Sequence, residues 1–199
     1  MDHFDQLENK SIYIFREAYA NFKSMGMLWS IGKDSTVLLW LARKEFFGHV
    51  PFPLIHIDTK YKIPGMIEYR DRLTKQWQLN MIYGINEKAL NDKETFPDAK
   101  VDRITCCKLL KTKALRNTLE AKGVRYRFNH QKSAYEIESN PQPFFGIIVG
   151  VRADEEGSRS KERYFSARDK ESAWDNGVGY CRWSDSCRRS GRKSCRDSR

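Results

Sequence analysis

Between Met27 and Asp58 the chain alternates in a way that few folds accept. "MLWS" is a short apolar run, "SIGKDS" a tight polar turn, "STVLLWLARKEFF" a run with helical spacing, and "PFPLIHID" a second, near-continuously apolar run. Strand, helix and strand within about thirty residues make the βαβ unit of a parallel sheet. The unbroken apolarity of the second run suits a strand covered on both faces. In the helix, Val37, Leu38, Leu41 and Ala42 are expected to share the buried face, with Gly48 as its C-cap.

The alternation extends in both directions. Leu7, Ser11, Ile14, Phe15, Ala18 and Phe22 recur at helical spacing, and Ser24 to Gly26 punctuates. "GMIEYRDRLTKQW" follows Pro64 and reads as a helix with proline in its first turn. "LNMIYGI" reads as a strand, 87–103 as a polar connection, and "CKLLKTKALRNTLEAKG" as a helix closed by Gly123. Residues 124–143 are either a hairpin or a surface insertion, and "FFGIIVGV" is a buried strand. The expected class is α/β: an open, mostly parallel sheet flanked by helices, in one domain over 1–175.

Composition narrows the setting. With 40% hydrophobic residues in a chain of 199, a real core is within reach. No apolar run approaches membrane-spanning length, and "MDHFDQLENKS" lacks the apolar core of a secretory signal. The expectation is a cytoplasmic protein, with Cys106, Cys107, Cys181, Cys187 and Cys195 reduced and no C-x-x-C pair to bind metal. Half of the net charge of +10 falls after Asp175, in "NGVGYCRWSDSCRRSGRKSCRDSR", where Ser, Arg and Cys dominate. That segment, 176–199, cannot bury enough apolar surface to order itself. It reads either as a disordered or non-native end or as a basic tail for nucleic acid or a partner. Over the remaining body, a small anionic ligand explains the charge as well as a polynucleotide does.

The turn has its own chemistry. A loop from a parallel strand into a helix aims several backbone N–H groups, and the positive end of the helix dipole, into one small space suited to phosphate. Gly32 lets a ligand approach the backbone, Ser30 and Ser35 offer hydroxyls, Lys33 a mobile cation, and Asp34 a cap for free amides. The G-x-x-x-x-G-K-[ST] loop of ATP-binding proteins is ruled out, because Asp34 follows Gly32-Lys33 and Met27 stands five before Gly32. Alone, the hexapeptide leaves two readings level: a phosphate loop, or an ordinary strand-to-helix turn.

"SIGKDS" resembles the pyrophosphate-binding loop of the adenine-nucleotide α-hydrolase-like superfamily, usually written S-G-G-x-D-S. "PFPLIHIDTKYKIPGMIEYRDR", "LLKTKAL" and "GVRADEEGSRSKERYFSARD" follow in order. Together they resemble the branch holding phosphoadenosine-phosphosulfate reductases and small, catalytic subunits of heterodimeric sulfate adenylyltransferase, most closely the latter. The resemblance implies attack of a sulfate oxygen on the α-phosphorus of ATP, giving adenosine 5′-phosphosulfate and pyrophosphate on the way to cysteine. It implies ATP and sulfate as substrates, Mg²⁺ as a companion, and a GTPase large subunit as partner. By the same resemblance Ser30, Gly32, Lys33, Asp34 and Ser35 hold pyrophosphate, and Asp58 and Thr59 stand by the adenosine or the metal. Arg152, Arg159 and Lys161 act on the reacting groups, while Asp154, Glu155 and Arg163 line the nucleotide. Charge alternation over 152–163, with Glu156 and Glu162, also suits a surface salt-bridge ladder. His56, on the strand leading to Asp58, reads as a buried strand residue.

The pattern also breaks. Gly65 stands where such chains often carry Glu, and Cys106-Cys107 reads as buried thiols rather than ligands. Residues 125–143 have no counterpart in the resemblance, and such subunits continue well beyond 199 residues, so the expectation is either a C-terminal truncation that impairs activity or a shorter relative with another job. Two rivals remain. A phosphoadenosine-phosphosulfate reductase needs a nucleophilic cysteine near its end, and Cys195 in "KSCRDS" has the wrong neighbours. A nucleotide-binding protein of DNA sulfur modification, led by its basic tail, would hold DNA with a steep salt dependence.

Overall fold

The structure, a computed structural model, describes residues 2–22, 24–92, 95, 101–151 and 164–166. The chain divides into Met1–Val151 and Arg152–Arg199, and only 164–166 of the second unit are described. The first unit carries helices α1 (His3–Asn21), α2 (Lys33–Glu45), α3 (Pro64–Gln76), α4 (Glu87–Asn91), α5 (Arg103–Cys107) and α6 (Ala114–Leu119). Its strands are β1 (Met25–Leu28), β2 (Leu54–Ile57), β3 (Met81–Gly84), β4 (Arg125–Asn129), β5 (Ala134–Ile137) and β6 (Gly146–Ile148). A π-turn over Lys108–Lys113 joins α5 to α6 without a break.

The six strands form one sheet in the order β5-β4-β3-β2-β1-β6. Strands β6, β1, β2 and β3 run parallel, with Met27 facing Leu54 and His56 facing Tyr83. All four therefore deliver their carboxyl ends to one edge. The central strands are the apolar runs of the sequence: Met27, Leu54, Met81 and Ile82 are fully buried. Phe15 and Ala18 from α1, and Leu39 and Ala42 from α2, close over them. Close approach explains two glycines. A Cβ on Gly84 would stand 1.9 Å from Thr118 Oγ1, and one on Gly26 2.7 Å from Ile55 Cδ1. Gly26 therefore lies inside β1 rather than before it.

Of the two readings of residues 124–143 the structure takes the hairpin, and that hairpin belongs to the sheet: β4 pairs antiparallel with β3, and β5 with β4. Several expectations change. Among the described residues the "FFGIIVGV" strand, β6, pairs with β1 alone at the end of the strand order, and Phe145, just before it, is 76% exposed rather than buried. Val37 is 58% exposed, because the buried stripe of α2 runs through Ser35, Leu39 and Ala42, about 200° around from it. The C-cap of α2 is Phe46, and the left-handed conformation begins at Phe47, one residue before Gly48. Likewise α6 ends at Glu120, followed by left-handed Ala121, before Gly123 is reached. The polar connection contains α4, capped by the Asn86 side chain. Among the described residues no helix is long and apolar enough to cross a membrane.

Candidate functional site

Two segments leave adjacent strands at the carboxyl edge, and each is held from below. The first, Trp29 to Ser35, joins β1 to α2. Trp29 is 1% exposed; its amide donates to the Ile55 carbonyl at 2.9 Å and its indole N–H to Thr36 Oγ1 at 3.2 Å. These bonds pin both the start of the loop and the first turn of the helix it enters. Ile31 then adopts φ 67°, a left-handed conformation that costs a β-branched residue roughly 1–2 kcal/mol. The turn this creates sets Ser30 Oγ 3.1 Å from Ser35 Oγ, while Ser35 donates to the Gly32 carbonyl at 3.1 Å.

Gly32 is the N-cap of α2, so Asp34 does not cap the helix: no side chain accepts from the first-turn amides. Asp34 sits inside the first turn and pairs loosely with Lys33, Nζ to Oδ1 at 3.5 Å, both exposed. The amides of Lys33, Asp34 and Ser35 are thus left without a side-chain cap, with the helix dipole behind them, as an anion site requires. A Cβ on Gly32 would stand 3.3 Å from Ser30 Oγ, so glycine keeps the hollow of the loop clear. Gly150, just past β6, packs its Cα over the backbone of Ser35, where a Cβ would lie 3.5 Å from both the Cα and the N.

The second segment follows β2. Asp58 receives the Lys60 amide on Oδ1 at 2.8 Å and faces Lys60 Nζ at 3.5 Å, a tight turn completed by left-handed Lys60 at φ 64°. Burial works against its ionisation, but the Lys60 amide and the Lys60 and Lys62 cations outweigh it and hold the carboxyl below its ordinary range. Thr59 stands half-buried beside it. Ser30, Gly32, Lys33, Asp34, Ser35, Asp58 and Thr59 are therefore brought to one edge. Arg152, Asp154, Glu155, Arg159, Lys161 and Arg163 lie outside the described residues, as do 176–199.

The floor of the edge holds His56, read from the sequence as a buried strand residue, and a network around it that the sequence reading passed over. His56 is fully buried on β2, as its strand position indicates, but it is also bonded. Its Nδ1 lies 2.8 Å from the Trp29 carbonyl, which only accepts, so Nδ1 carries the proton and Nε2 receives the Lys62 ammonium. Burial first, then Lys62, bring the imidazole down to about 4, so it is neutral at physiological pH. Its ring meets Tyr83 edge-on at 5.6 Å; Tyr83 bonds the Tyr135 hydroxyl at 2.5 Å, and Tyr135 donates to Asp71 at 3.1 Å. The Arg70 guanidinium lies 4.6 Å from the Tyr83 ring centroid and donates to Asp71 at 2.8 Å. The hairpin thus braces the floor. The signal that could have found this network is the set of polar residues on strands β2, β3 and β5: buried His56 and Tyr83 and half-buried Tyr135.

On the far side of β3, Asn86 Nδ2 donates to the Leu109 carbonyl at 3.0 Å and ties the end of that strand to the π-turn. Cys106 and Cys107 are half-buried, not buried, and no group of three His, Cys, Asp or Glu side chains is gathered for a metal among the described residues.

Comparison with known proteins follows the same residues. The phosphoadenosine phosphosulfate reductase domain matches residues 24–174. The sulfate adenylyltransferase subunit 2 of Alkalilimnicola ehrlichii is 41% identical over 176 residues, covering 88% of this chain and 51% of the relative. That of Rhizobium tropici is 41% identical over 174 residues, covering 87% and 48%. The chain spans about half the length of the curated relatives it matches. A phosphoadenylyl-sulfate reductase from Candida auris, solved with phosphate, aligns at 18% identity and a TM-score of 0.46, over 60% of this chain and 62% of that one. The domain match takes in both edge segments, the π-turn and the hairpin, and by it the chain belongs to the phosphoadenosine phosphosulfate reductase domain family.

Proposed function

We propose that the chain carries the nucleotide site of a sulfate adenylyltransferase small subunit, and that the loop after β1 grips the two outer phosphoryl groups of ATP. The observation that carries this reading is the first turn of α2, which has no side-chain cap and starts beside the paired Ser30 and Ser35 hydroxyls. Identity near 40% to sulfate adenylyltransferase subunits favours this chemistry over reduction.

In the proposed reaction a sulfate oxygen forms a bond to the α-phosphorus, and the bond to the bridging oxygen breaks. The electron pair leaves with pyrophosphate. The chain's part is to position the nucleotide and to receive that charge, as in other phosphoryl-type transfers. Amides of Lys33, Asp34 and Ser35 are fixed dipoles aimed at the leaving group before it leaves, so no reorganisation is needed. Lys33 adds a mobile point charge. Arg152, Arg159 and Lys161 are proposed to meet the sulfate and α-phosphoryl oxygens, with Asp154, Glu155 and Arg163 around them.

Magnesium takes one or two carboxylates beside phosphate oxygens and keeps much of its water. Ionised Asp58 at the end of β2 meets that modest demand, with Thr59 next to it. A bound Mg²⁺ would screen the phosphate charge; Asp58 would hold it at the strand end. Sulfate adenylation is strongly uphill, so a GTPase large subunit is proposed as the partner that drives it.

The test is pyrophosphate release by the full chain, with and without a heterodimeric sulfurylase's large subunit. Release that requires ATP and sulfate together is expected with the partner. Binding of ATP or pyrophosphate by the chain alone, read by calorimetry, separates an inactive site from an absent one.

A further inference from the structure

Past Asp58 the chain doubles back at Lys60 and returns the Lys62 ammonium to the end of β2. There Nζ donates to the Ile57 carbonyl at 2.8 Å and to His56 Nε2. His56 donates in turn to the carbonyl of Trp29, the residue before Ser30. Two links therefore join this cation to the base of the phosphate loop. Both of these acceptors are neutral, and an ammonium has three donors.

Among the described residues Lys62 has no ion-pair partner of its own. Asp58 on its own segment attracts it, but that carboxylate is already turned to the Lys60 amide and ammonium. Arg70 from α3, itself bound to Asp71, and Lys111 from the π-turn both oppose the charge, and His56 is neutral. Burial first, then these two cations, lower the ammonium to about 8 against the pull of Asp58. Two ammoniums, Lys60 and Lys62, share the Asp58 carboxylate at a half-buried edge, and Arg70 and Lys111 add positive charge around Lys62, an arrangement that an incoming anion would complete. The choice of histidine has a physical reason. A carboxylate at position 56 would hold Lys62 equally well but cancel its charge, whereas a neutral Nε2 orients the ammonium and leaves the charge available.

We propose that Lys62 is a second oxyanion-binding cation of this site, set by His56 as a positioning residue to grip a tetrahedral oxyanion, phosphoryl or sulfate, at the end of β2. This rests on the nucleotide-site reading above. The full chain would be titrated calorimetrically with pyrophosphate in one arm and sulfate in the other, at pH 7 and pH 9.5. Lys62→Met is expected to weaken the anion it grips by about tenfold or more, the scale of a hydrogen bond to a charged group; the arm affected identifies the source. Wild-type binding should weaken as pH rises through Lys62's lowered range, while Lys62→Arg, charged throughout, should keep its affinity at pH 9.5. His56→Gln should weaken binding less than Lys62→Met.

If Lys62→Met does not fold, the wild-type and Lys62→Arg pH profiles decide alone. Equal alkaline losses in those two proteins, or unchanged affinity for both anions in a folded Lys62→Met, would overturn the assignment of Lys62. A folded wild-type chain that binds neither anion at pH 7 overturns the nucleotide-site reading and this inference together.

Discussion

The two ends of α2 both hold a bulky residue in the left-handed conformation, and they hold it on different terms. At the amino end Ile31 has φ 67°, and its side chain packs half-buried against the core. At the carboxyl end Phe47 has φ 54° and is 97% exposed. There the Gly48 amide donates to the Arg43 carbonyl at 2.7 Å and the Phe47 amide to Lys44 at 3.4 Å, the bonds of a Schellman ending. Gln78 after α3 and Ala121 after α6 repeat the ending with φ 51° and 56°. At the carboxyl ends strain closes a helix and does nothing more. At the amino end it bends the chain so that the Ser30 and Ser35 hydroxyls meet beside the uncapped first turn of α2, and burial of Ile31 offsets its cost.

The largest expected effect probes the support beneath the amino end. His56 has a folded value of about 4 against 6.5 when exposed, so the unfolded chain binds more protons between those limits. Stability is then full above 6.5 and is lost as pH falls toward 4, by about 3 kcal/mol. Urea titrations across that window should show the loss in the wild type and its disappearance in His56→Gln. A flat wild-type profile would mean the imidazole is not buried as described.

Next comes Gly32→Val. With φ −76° at the N-cap, position 32 accepts any side chain, so the fold should survive. The added Cβ stands 3.3 Å from Ser30 Oγ and fills the hollow. Pyrophosphate affinity should fall about a hundredfold, the combined worth of a few hydrogen bonds; an unchanged affinity places the ligand elsewhere.

The two strained residues then separate. Phe47→Gly should stabilise by about 1 kcal/mol, raising Tm by about 3 °C, because nothing offsets the strain. Ile31→Gly should leave stability nearly unchanged, since relief of strain is balanced by about 1 kcal/mol of lost apolar burial. Equal stabilisation at both positions, by thermal unfolding, would erase the distinction drawn between them.

Much of this frame is legible in the sequence because hydrophobic periodicity reports burial. The parallel pairing of β1 with β2, the loop between them and the edge position of Asp58 all follow from it. What is hidden depends on contacts between distant segments. Gly48 and Gly123 look like caps, but the left-handed residues that follow α2 and α6 come earlier, at Phe47 and Ala121. Val37 is apolar yet exposed, since one stripe of α2 suffices to cover the sheet. Residues 125–137 look dispensable until Tyr135 is seen bonding Tyr83 beneath the site. Lys62 gives no local hint, because its partner six residues back matters only once β2 buries it.

The account stands on the amides at the start of α2 being the phosphate grip. Amide NMR on the ¹⁵N-labelled full chain, titrated with pyrophosphate, tests this residue by residue. The expected result is large shifts for Gly32, Lys33, Asp34 and Ser35, with Phe47, Gln78 and Ala121 at the opposite helix ends unmoved. Saturable pyrophosphate binding that leaves the four loop amides in place would contradict it.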